Sequence, residues 1–216
     1  MASVTQRIKQ IKQPFGGYIK PREFCQTQLE DGIELKENEN IHASLIGAAV
    51  DYLTRFMVKT PIEEAFKTTL IGAALIKKKE MAIFLASNIQ GLDAESITSA
   101  CKLAGFDVVY RGNPRLYKPV EEINPDQNAI FNVKTLVNRN LAFLEKYGPI
   151  IKQGFSFEGG YTNLITAGDG DFLTEDTLWD FKTSKTGPTN KHTLQLLIYY
   201  LMGKRSVHKE FDTIEN

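Results

Sequence analysis

The sequence predicts an α/β fold of the α+β kind, in which a mostly helical N-terminal half precedes a small sheet flanked by helices. Two observations lead to this prediction. Apolar residues recur at helical spacing over most of residues 41–146, whereas from Ile150 onward they recur with a period of two, which is typical of half-buried strands. A length of 216 residues suits one ordinary domain, or a core with a helical attachment.

The helical half divides at residues that start and stop helices. Pro61 suits the first turn of a helix, while Asp93 and Gly105 suit the N-cap and the end of another. The predicted helices are residues 41–58, 61–79 with a continuation over 81–90, 93–104 and 128–146. Residues 106–110 are predicted to form a short strand, followed by a turn over residues 111–114.

Composition is typical of a globular protein of the cytoplasm. Hydrophobic residues make up 42% and charged residues 24% of the chain. No apolar run approaches the roughly 20 residues of a membrane-spanning helix, and the polar N-terminus lacks the apolar region of a signal peptide. Cys25 and Cys101 have neither zinc-ligand nor CxxC spacing, which favours a reducing compartment. We therefore expect a cytoplasmic protein with no membrane partner.

The formal net charge is zero, but the basic residues are clustered. Residues 1–22 contain five basic and no acidic side chains, residues 77–79 are three lysines, and residues 182–192 include Lys185 and Lys191 without an acid. Such clusters suit a phosphate backbone, although solvated lysines are the commoner explanation of each one. We expect one compact domain with a basic N-terminal arm over residues 1–40, a helical region over 41–148 packed on the core, and a core over 149–216.

Residues 168–182 predict a β-hairpin. Phe172, Trp179 and Phe181 alternate with polar neighbours, and Glu175 and Asp176 fall where a short turn would close. Closure about that turn pairs residue 173 with 178, 172 with 179, 171 with 180 and 169 with 182. Because side chains alternate between the faces of a strand, the aromatic rings share one face, the expected core face. The other face comprises Asp169, Asp171, Leu173, Leu178, Asp180 and Lys182.

Asp171 and Asp180 are the candidate metal ligands of this second face. Directly opposed residues lie roughly 4.5–5.5 Å apart at Cβ, where like charges destabilise a sheet. A hard divalent cation such as Mg²⁺, held by one or two carboxylates and water, removes that repulsion. Lys182 on the same face then suits the chemistry of water and phosphate at a metal. The alternative is a solvated hairpin face on which the acids and the lysine have no shared role.

A helix over residues 191–202 follows the hairpin, with Thr189 or Asn190 available as its N-cap. One face of this helix can form hydrogen bonds through His192, Gln195 and Tyr199. Ordinary half-exposed positions are the alternative for these side chains. The expected apolar stripe consists of Leu194, Leu197, Ile198 and Leu201.

Three short motifs follow one another along the hairpin and the helix: G-x-x-D from Gly168 to Asp171, D-x-K-T/S over residues 180–183, and Q-x-x-x-Y from Gln195 to Tyr199. In this order they resemble the PD-(D/E)xK nuclease superfamily, and specifically its RecB-like exonuclease branch, which includes the phage lambda-type exonucleases. The resemblance covers roughly residues 150–205, about a quarter of the chain. It implies a restriction-endonuclease-like core with a small mixed central sheet, Mg²⁺ or Mn²⁺ as cofactor, and DNA as partner. A ring-forming or accessory-subunit assembly is compatible with it.

The resemblance also implies a role for each motif residue. Asp171 and Asp180 hold the metal, with help from the carbonyl of Phe181. Lys182 positions the attacking water and stabilises the charge that develops on the phosphate. Gln195 and Tyr199 orient the scissile phosphate or the lysine.

A third protein ligand to the metal has two candidates. Many members of this branch carry a metal-binding histidine on an N-terminal helix, and His42 stands at the start of the predicted helix over residues 41–58. Glu158 follows the predicted strand over residues 154–157. The alternatives are a helix cap or a surface position for His42, and a solvent-side strand end for Glu158.

The leading prediction is a Mg²⁺-dependent deoxyribonuclease of the exonuclease type, acting in DNA processing, recombination or mobile-element biology. The alternatives are a catalytically inactive nucleic-acid-binding relative and a restriction-type endonuclease of the same superfamily. The family core also requires a further strand after the helix, which would begin at residues 210–214. We therefore expect either a short terminal strand or a core that is truncated at its C-terminus because the chain is part of a longer product.

Overall fold

The computed structural model describes residues 2–27, 30–111, 114–183 and 186–216, so that Gly112 and Asn113 of the predicted turn and the basic Lys185 lie outside the described residues. The chain divides into two compact units, which we name the helical unit and the sheet unit. The helical unit is Glu30–Phe143, and the sheet unit combines Met1–Leu29 with Leu144–Asn216. Where one compact domain with an arm over residues 1–40 was expected, the first 29 residues belong to the sheet unit.

Helices predominate along the described chain. The α-helices are α1 Val4–Gln10, α2 Ala43–Met57, α3 Ile62–Ala65, α4 Lys67–Leu75, α5 Lys79–Ser87, α6 Ala94–Ala104, α7 Asp107–Tyr110, α8 Gln127–Tyr147 and α9 Asn190–Arg205. The strands are β1 Lys152–Ser156, β2 Asp169–Leu173 and β3 Leu178–Trp179. Short 3-10 helices occupy Pro21–Glu23, Pro114–Leu116, Val120–Glu122 and Lys209–Thr213. Among the helices of the described residues, none is long and apolar enough to cross a membrane.

The helical unit has its own apolar core. Leu53 on α2, Ile97 on α6 and Phe106 are fully buried in it, and α2 packs against α6. Asp93 caps α6 as predicted, since its carboxylate accepts hydrogen bonds from the backbone amides of Glu95 and Ser96, both at 3.0 Å. The long predicted helix over residues 128–146 is confirmed as α8.

Two predictions in the helical unit are wrong. The predicted strand over residues 106–110 contains helix α7, because Asp107 forms an ion pair with Arg111 four residues later and accepts a 2.6 Å hydrogen bond from the hydroxyl of Tyr52. Residues 61–79, expected as one helix, are divided into α3 and α4 at Phe66. That residue leaves helical geometry with φ −107° while its ring is fully buried, 5.3 Å from the ring of Tyr52.

The sheet unit contains a three-stranded antiparallel sheet in the order β1–β2–β3. The expectation of a mixed sheet is wrong for the described strands. Parallel pairing among the described residues is confined to a single bridge between Ser3 and Ala167. The mixed helix-and-strand class is confirmed, whereas the restriction-endonuclease-like core stays a prediction.

The N-terminal residues are part of the core of the sheet unit. Val4 and Ile8 of α1 are buried in the same cluster as Phe157 and Tyr199. The backbone amide of Val4 donates to the carbonyl of Ala167 at 2.9 Å, which fixes the start of α1 beside the chain that leads into β2. The predicted basic arm is therefore anchored at its beginning.

The predicted strand over residues 210–214 is instead a 3-10 helix, Lys209–Thr213. Phe211 turns inward and is fully buried, and Gly203 of α9 leaves the room that its ring occupies, since a Cβ at residue 203 would lie 2.0 Å from that ring. The main chain still meets the sheet at one point, where the amide of Leu178 donates to the carbonyl of Asn216 at 3.0 Å.

Candidate active site

The hairpin of β2 and β3 has the predicted register. Phe172 pairs with Trp179 and Leu173 with Leu178, and the amide of Thr174 donates to the carbonyl of Thr177 at 3.0 Å to close the turn. The chain leaves the sheet after Trp179, so the predicted pairs of residue 171 with 180 and of 169 with 182 are not part of the described sheet. The carboxylate of Asp171 replaces the missing ladder contact, because its Oδ2 accepts a hydrogen bond from the amide of Phe181 at 2.8 Å.

Asp180 and Lys182 form an ion pair directly after β3. The Nζ atom of Lys182 contacts Oδ2 of Asp180, and the Asp180 side chain is only 4% exposed while that of Lys182 is 35% exposed. A carboxylate this buried requires compensating partners, because removing a charge from water is costly. Lys182 supplies one partner and remains accessible to solvent.

Helix α9 supplies the second partner of Asp180. Gln195 Nε2 lies 3.3 Å from Asp180 Oδ1 and 2.9 Å from the hydroxyl oxygen of Tyr199, and donates a hydrogen bond to each. Gln195 and Tyr199 stand four residues apart on the same helix, so their side chains meet on one face. The five residues predicted as catalytic are thus brought together: Asp171, Asp180, Lys182, Gln195 and Tyr199.

The face of α9 that carries Gln195 and Tyr199 is the buried one. Both side chains lie in the interior with Leu194 and Met202, whereas Leu201 of the predicted apolar stripe is 51% exposed. The predicted stripe is therefore displaced around the helix. A buried glutamine is unusual unless its amide is hydrogen-bonded, and here the partners are the carboxylate and the phenol of the candidate site.

Both faces of the hairpin are covered, rather than the aromatic face alone. Phe172 is 1% exposed and contacts the ring of Phe181, with ring centroids 5.0 Å apart. Leu173 and Leu178, on the predicted face of the aspartates, are also buried and belong to the main cluster of the sheet unit with Leu194. The candidate site therefore lies at the edge of a packed interior.

The phenol of Tyr199 lies in the field of three carboxylates. Burial raises its pKa, and the negative charges of Asp180, Asp171 and Asp169 raise it further, while the hydrogen bond from Gln195 opposes them. Asp169, which none of the three motifs marks as a ligand, is thus a third acid beside the site. Its spacing of two residues from Asp171 on the same strand was the available signal.

Gly168 of the first motif is required by close packing. A Cβ at this position would lie 2.8 Å from a side-chain methyl of Val4 and 3.5 Å from the ring of Tyr199. The carbonyl of Gly168 also accepts a hydrogen bond from the hydroxyl of Tyr161 at 3.1 Å. The glycine lets the start of β2 approach helices α1 and α9.

The two candidates for a third metal ligand have other contacts. His42 belongs to the helical unit, where it is the N-cap of α2 and its Nδ1 accepts from the amide of Ser44 at 3.1 Å. Glu158 is exposed in the sheet unit and accepts a 3.3 Å hydrogen bond from the hydroxyl of Ser156. His192 likewise serves its own helix, because its Nδ1 accepts from the amide of Thr189 at 3.2 Å.

The donor set suits a hard cation. No group of three or more His, Cys, Asp and Glu side chains that could hold a metal occurs within the described residues. Mg²⁺ usually retains several waters and needs only one or two carboxylates from the protein. Asp171 and Asp180, linked through the amide of Phe181 and the main chain, provide that number.

Comparison with protein-family models, curated proteins and solved structures gave no match. The resemblance to the nuclease superfamily therefore rests on the three motifs, and the candidate site rests on its hydrogen bonds and its ion pair.

Proposed function

We propose that this protein is a metal-dependent DNA phosphodiester hydrolase of the exonuclease type. The observation that supports this most directly is the connected group of Asp180, Lys182, Gln195 and Tyr199, beside which Asp171 accepts a hydrogen bond from the amide of Phe181, the residue after Asp180. These residues come from three separate motifs and meet at one end of a hairpin under α9. Acids, lysine and amide in this arrangement suit phosphoryl chemistry.

In this proposal, Asp171 and Asp180 hold Mg²⁺ or Mn²⁺, with the carbonyl of Phe181 as a further oxygen. The bound cation supplies Lewis-acid polarisation of a phosphoryl oxygen and lowers the pKa of a bound water. The buried position of Asp180 fixes its carboxylate, since Gln195 and Lys182 each bond one of its oxygens. A fixed carboxylate is preorganised for the cation and reduces the reorganisation needed during the reaction.

Lys182 provides positive charge at the reacting phosphate. Its ammonium is held at Asp180 and is 35% exposed, so it can reach a phosphate while its stem stays in place. In that position it orients the attacking water and stabilises the negative charge that develops on the phosphoryl oxygens.

Tyr199 acts as a neutral hydrogen-bonding group. Its raised pKa keeps the phenol protonated throughout the physiological range. Because its oxygen accepts from Gln195, its own proton is available to a neighbouring oxygen. Gln195 and Tyr199 together orient Asp180 and the scissile phosphate.

The test is cleavage of linear and closed-circular DNA with Mg²⁺ or with EDTA, using the wild type, Asp180→Asn and Lys182→Ala. Glu175→Gln is the matched control, because Glu175 is an exposed acid at the turn end of the same hairpin. We expect Mg²⁺-dependent loss of linear DNA by the wild type and the control alone. A folded wild type that binds DNA without cutting it would indicate the inactive relative, and cutting of closed circles would indicate an endonuclease.

A further inference from the structure

A β-turn near the N-terminus displays an aromatic ring to solvent. The amide of Gly17 donates to the carbonyl of Pro14 at 2.9 Å, and Gly16 has φ +83°, as the third residue of a type II turn requires. Phe15 stands at the tip and is 97% exposed. Tyr18 and Phe24 are 59% and 54% exposed. We name residues 11–24 the N-terminal turn segment.

Three exposed aromatic side chains within ten residues differ from the scattered single apolar residues of an ordinary surface. Exposed apolar groups that occur together mark a contact site for a ligand or partner. Phe15 in particular could be replaced by a polar residue at no cost to packing, since it makes almost no contact with the rest of the protein. A fully exposed ring at the tip of a defined turn points to an external contact.

The N-terminal turn segment is fastened to helix α9. Gln13 Nε2 donates to the carbonyl of Asn190 at 3.2 Å, and Thr193 Oγ1 donates to the carbonyl of Ile19 at 2.6 Å. At Gly17 a Cβ would lie 2.6 Å from the Cβ of Asn190, so only glycine allows this approach. Thr193 stands two residues before Gln195 of the candidate site. The exposed rings are therefore held on the helix that supplies Gln195 and Tyr199.

The positive charge of the N-terminal turn segment favours a polyanionic ligand. Lys12, Lys20 and Arg22 lie among the exposed rings, and residues 1–22 contain no acid. The first acid, Glu23, pairs with Lys20 at 3.1 Å and leaves the other cations to external anions. Basic side chains interspersed with exposed aromatic rings are the pattern of single-stranded nucleic-acid contacts, in which cations follow the phosphates and rings stack on the bases. Bases in a duplex are already stacked and offer no faces to such rings.

We propose that the N-terminal turn segment binds single-stranded DNA, with Phe15 and Tyr18 stacking on bases and Lys12 and Arg22 contacting phosphates. This inference rests on the proposed function for its choice of DNA and identifies the substrate class as a single strand or an unpaired end.

Binding is measured by fluorescence anisotropy with a labelled thymidine oligonucleotide in EDTA, which separates binding from cleavage. Each of Phe15→Ala and Tyr18→Ala should raise the Kd by roughly tenfold, because removal of one stacking ring commonly has an effect of this size. Neither substitution removes a buried group, so both variants should fold. The matched control is Phe84→Ala, an aromatic residue of the helical unit that is 61% exposed and lines one shallow depression with Lys77, Lys78 and Lys79. It should bind as the wild type does.

Three further measurements decide the nature of the partner. Lys12→Gln should lower the salt dependence of binding by about 0.7 in log–log slope, the value for one phosphate contact in a single strand. A blunt duplex should bind equally to the wild type and Phe15→Ala. Vesicles of phosphatidylserine and phosphatidylcholine should not bind in a Phe15-dependent manner. Phe15-dependent vesicle binding, or single-strand affinity that survives the Phe15→Ala/Tyr18→Ala double substitution, overturns the inference.

Failure of this inference and failure of the proposed function are distinguishable. If the wild type cleaves DNA but single-strand affinity is unaffected by the two aromatic substitutions, the proposed role of the N-terminal turn segment is wrong and the proposed nuclease function is supported. If Phe15-dependent binding is present without Mg²⁺-dependent cleavage, DNA binding by the N-terminal turn segment is supported and the proposed nuclease function is wrong.

Discussion

Each of the two units contains a tyrosine hydroxyl beside buried or half-buried carboxylates, but the acids are compensated differently. In the helical unit, Asp107 pairs with Arg111 and Asp51 with Arg55, each four residues along the chain. In the sheet unit, Asp171 lies on β2 and Asp180, which pairs with Lys182, directly follows β3; together with Asp169 they raise the pKa of Tyr199. An acid with an arginine four residues away has its counter-charge nearby in the chain, whereas acids gathered around one hairpin suit an added cation.

The largest expected effect is the loss of cleavage in Asp180→Asn. Removing one of the two proposed carboxylate ligands should reduce Mg²⁺-dependent DNA cleavage by at least about 100-fold, while Glu175→Gln retains wild-type rates. Thermal unfolding gives an independent readout. Mg²⁺ should raise the Tm of the wild type by mass action and should raise that of Asp180→Asn much less. An equal Mg²⁺-induced shift in both proteins would contradict a cation at Asp180.

The second prediction compares the losses of stability that one substituted acid causes in each unit. Asp107→Asn should lower the free energy of unfolding by about 1–3 kcal/mol, because it weakens charge-assisted bonds to Arg111 and Tyr52. In EDTA, Asp180→Asn should be destabilised less than Asp107→Asn, since it also relieves repulsion among neighbouring carboxylates. Urea denaturation of both variants measures the difference. A larger loss in Asp180→Asn would mean that the hairpin cluster is compensated like the helical one.

The sequence predicted the hairpin well because its determinants are local. The alternation of Phe172, Trp179 and Phe181 and the turn at Glu175 and Asp176 specify a register without distant contacts. The order of the motifs grouped Gln195 with the hairpin residues, and in the structure it donates a hydrogen bond to Asp180. Its expected role of orienting the phosphate or Lys182 stays a prediction.

The failures lie where distant contacts decide local structure. Residues 106–110 have the apolar character of a strand. The hydrogen bond that Asp107 accepts from Tyr52 on α2 nevertheless favours helix α7. Phe211 is drawn inward by the space above Gly203, which no local pattern of residues 209–213 reveals. The buried face of α9 was misplaced because Gln195 reads as a surface residue until Asp180 and Tyr199 are known to be its partners.

Gly168→Ala tests the difference between the two units with a smaller expected effect. The added methyl would lie 2.8 Å from Val4 and 3.5 Å from the ring of Tyr199, so it should displace that ring. We expect roughly tenfold slower cleavage together with a loss of about 1–3 kcal/mol in stability. Gly72→Ala in the helical unit is the matched control, because its methyl would lie 2.2 Å from the carbonyl oxygen of Phe106. It should lower stability without changing the rate per folded molecule.

The smallest effect concerns the two thiols, one in each unit. Cys25 is exposed in the sheet unit, whereas Cys101 is fully buried in the helical unit, where burial raises the pKa of its thiol to about 12. At pH 8 a thiol reagent should modify one cysteine of the native chain quickly, and none in Cys25→Ser.

The raised pKa of Cys101 also sets the direction of a pH effect. The unfolded thiol ionises near its ordinary pKa of about 8.5 while the folded thiol stays protonated, so its contribution to stability is complete below that pH and declines as the pH rises toward 12. Cys101→Ala should therefore lose stability less steeply than the wild type above pH 9. Rapid labelling of Cys101 in native Cys25→Ser at pH 8 would instead show that the core of the helical unit opens readily.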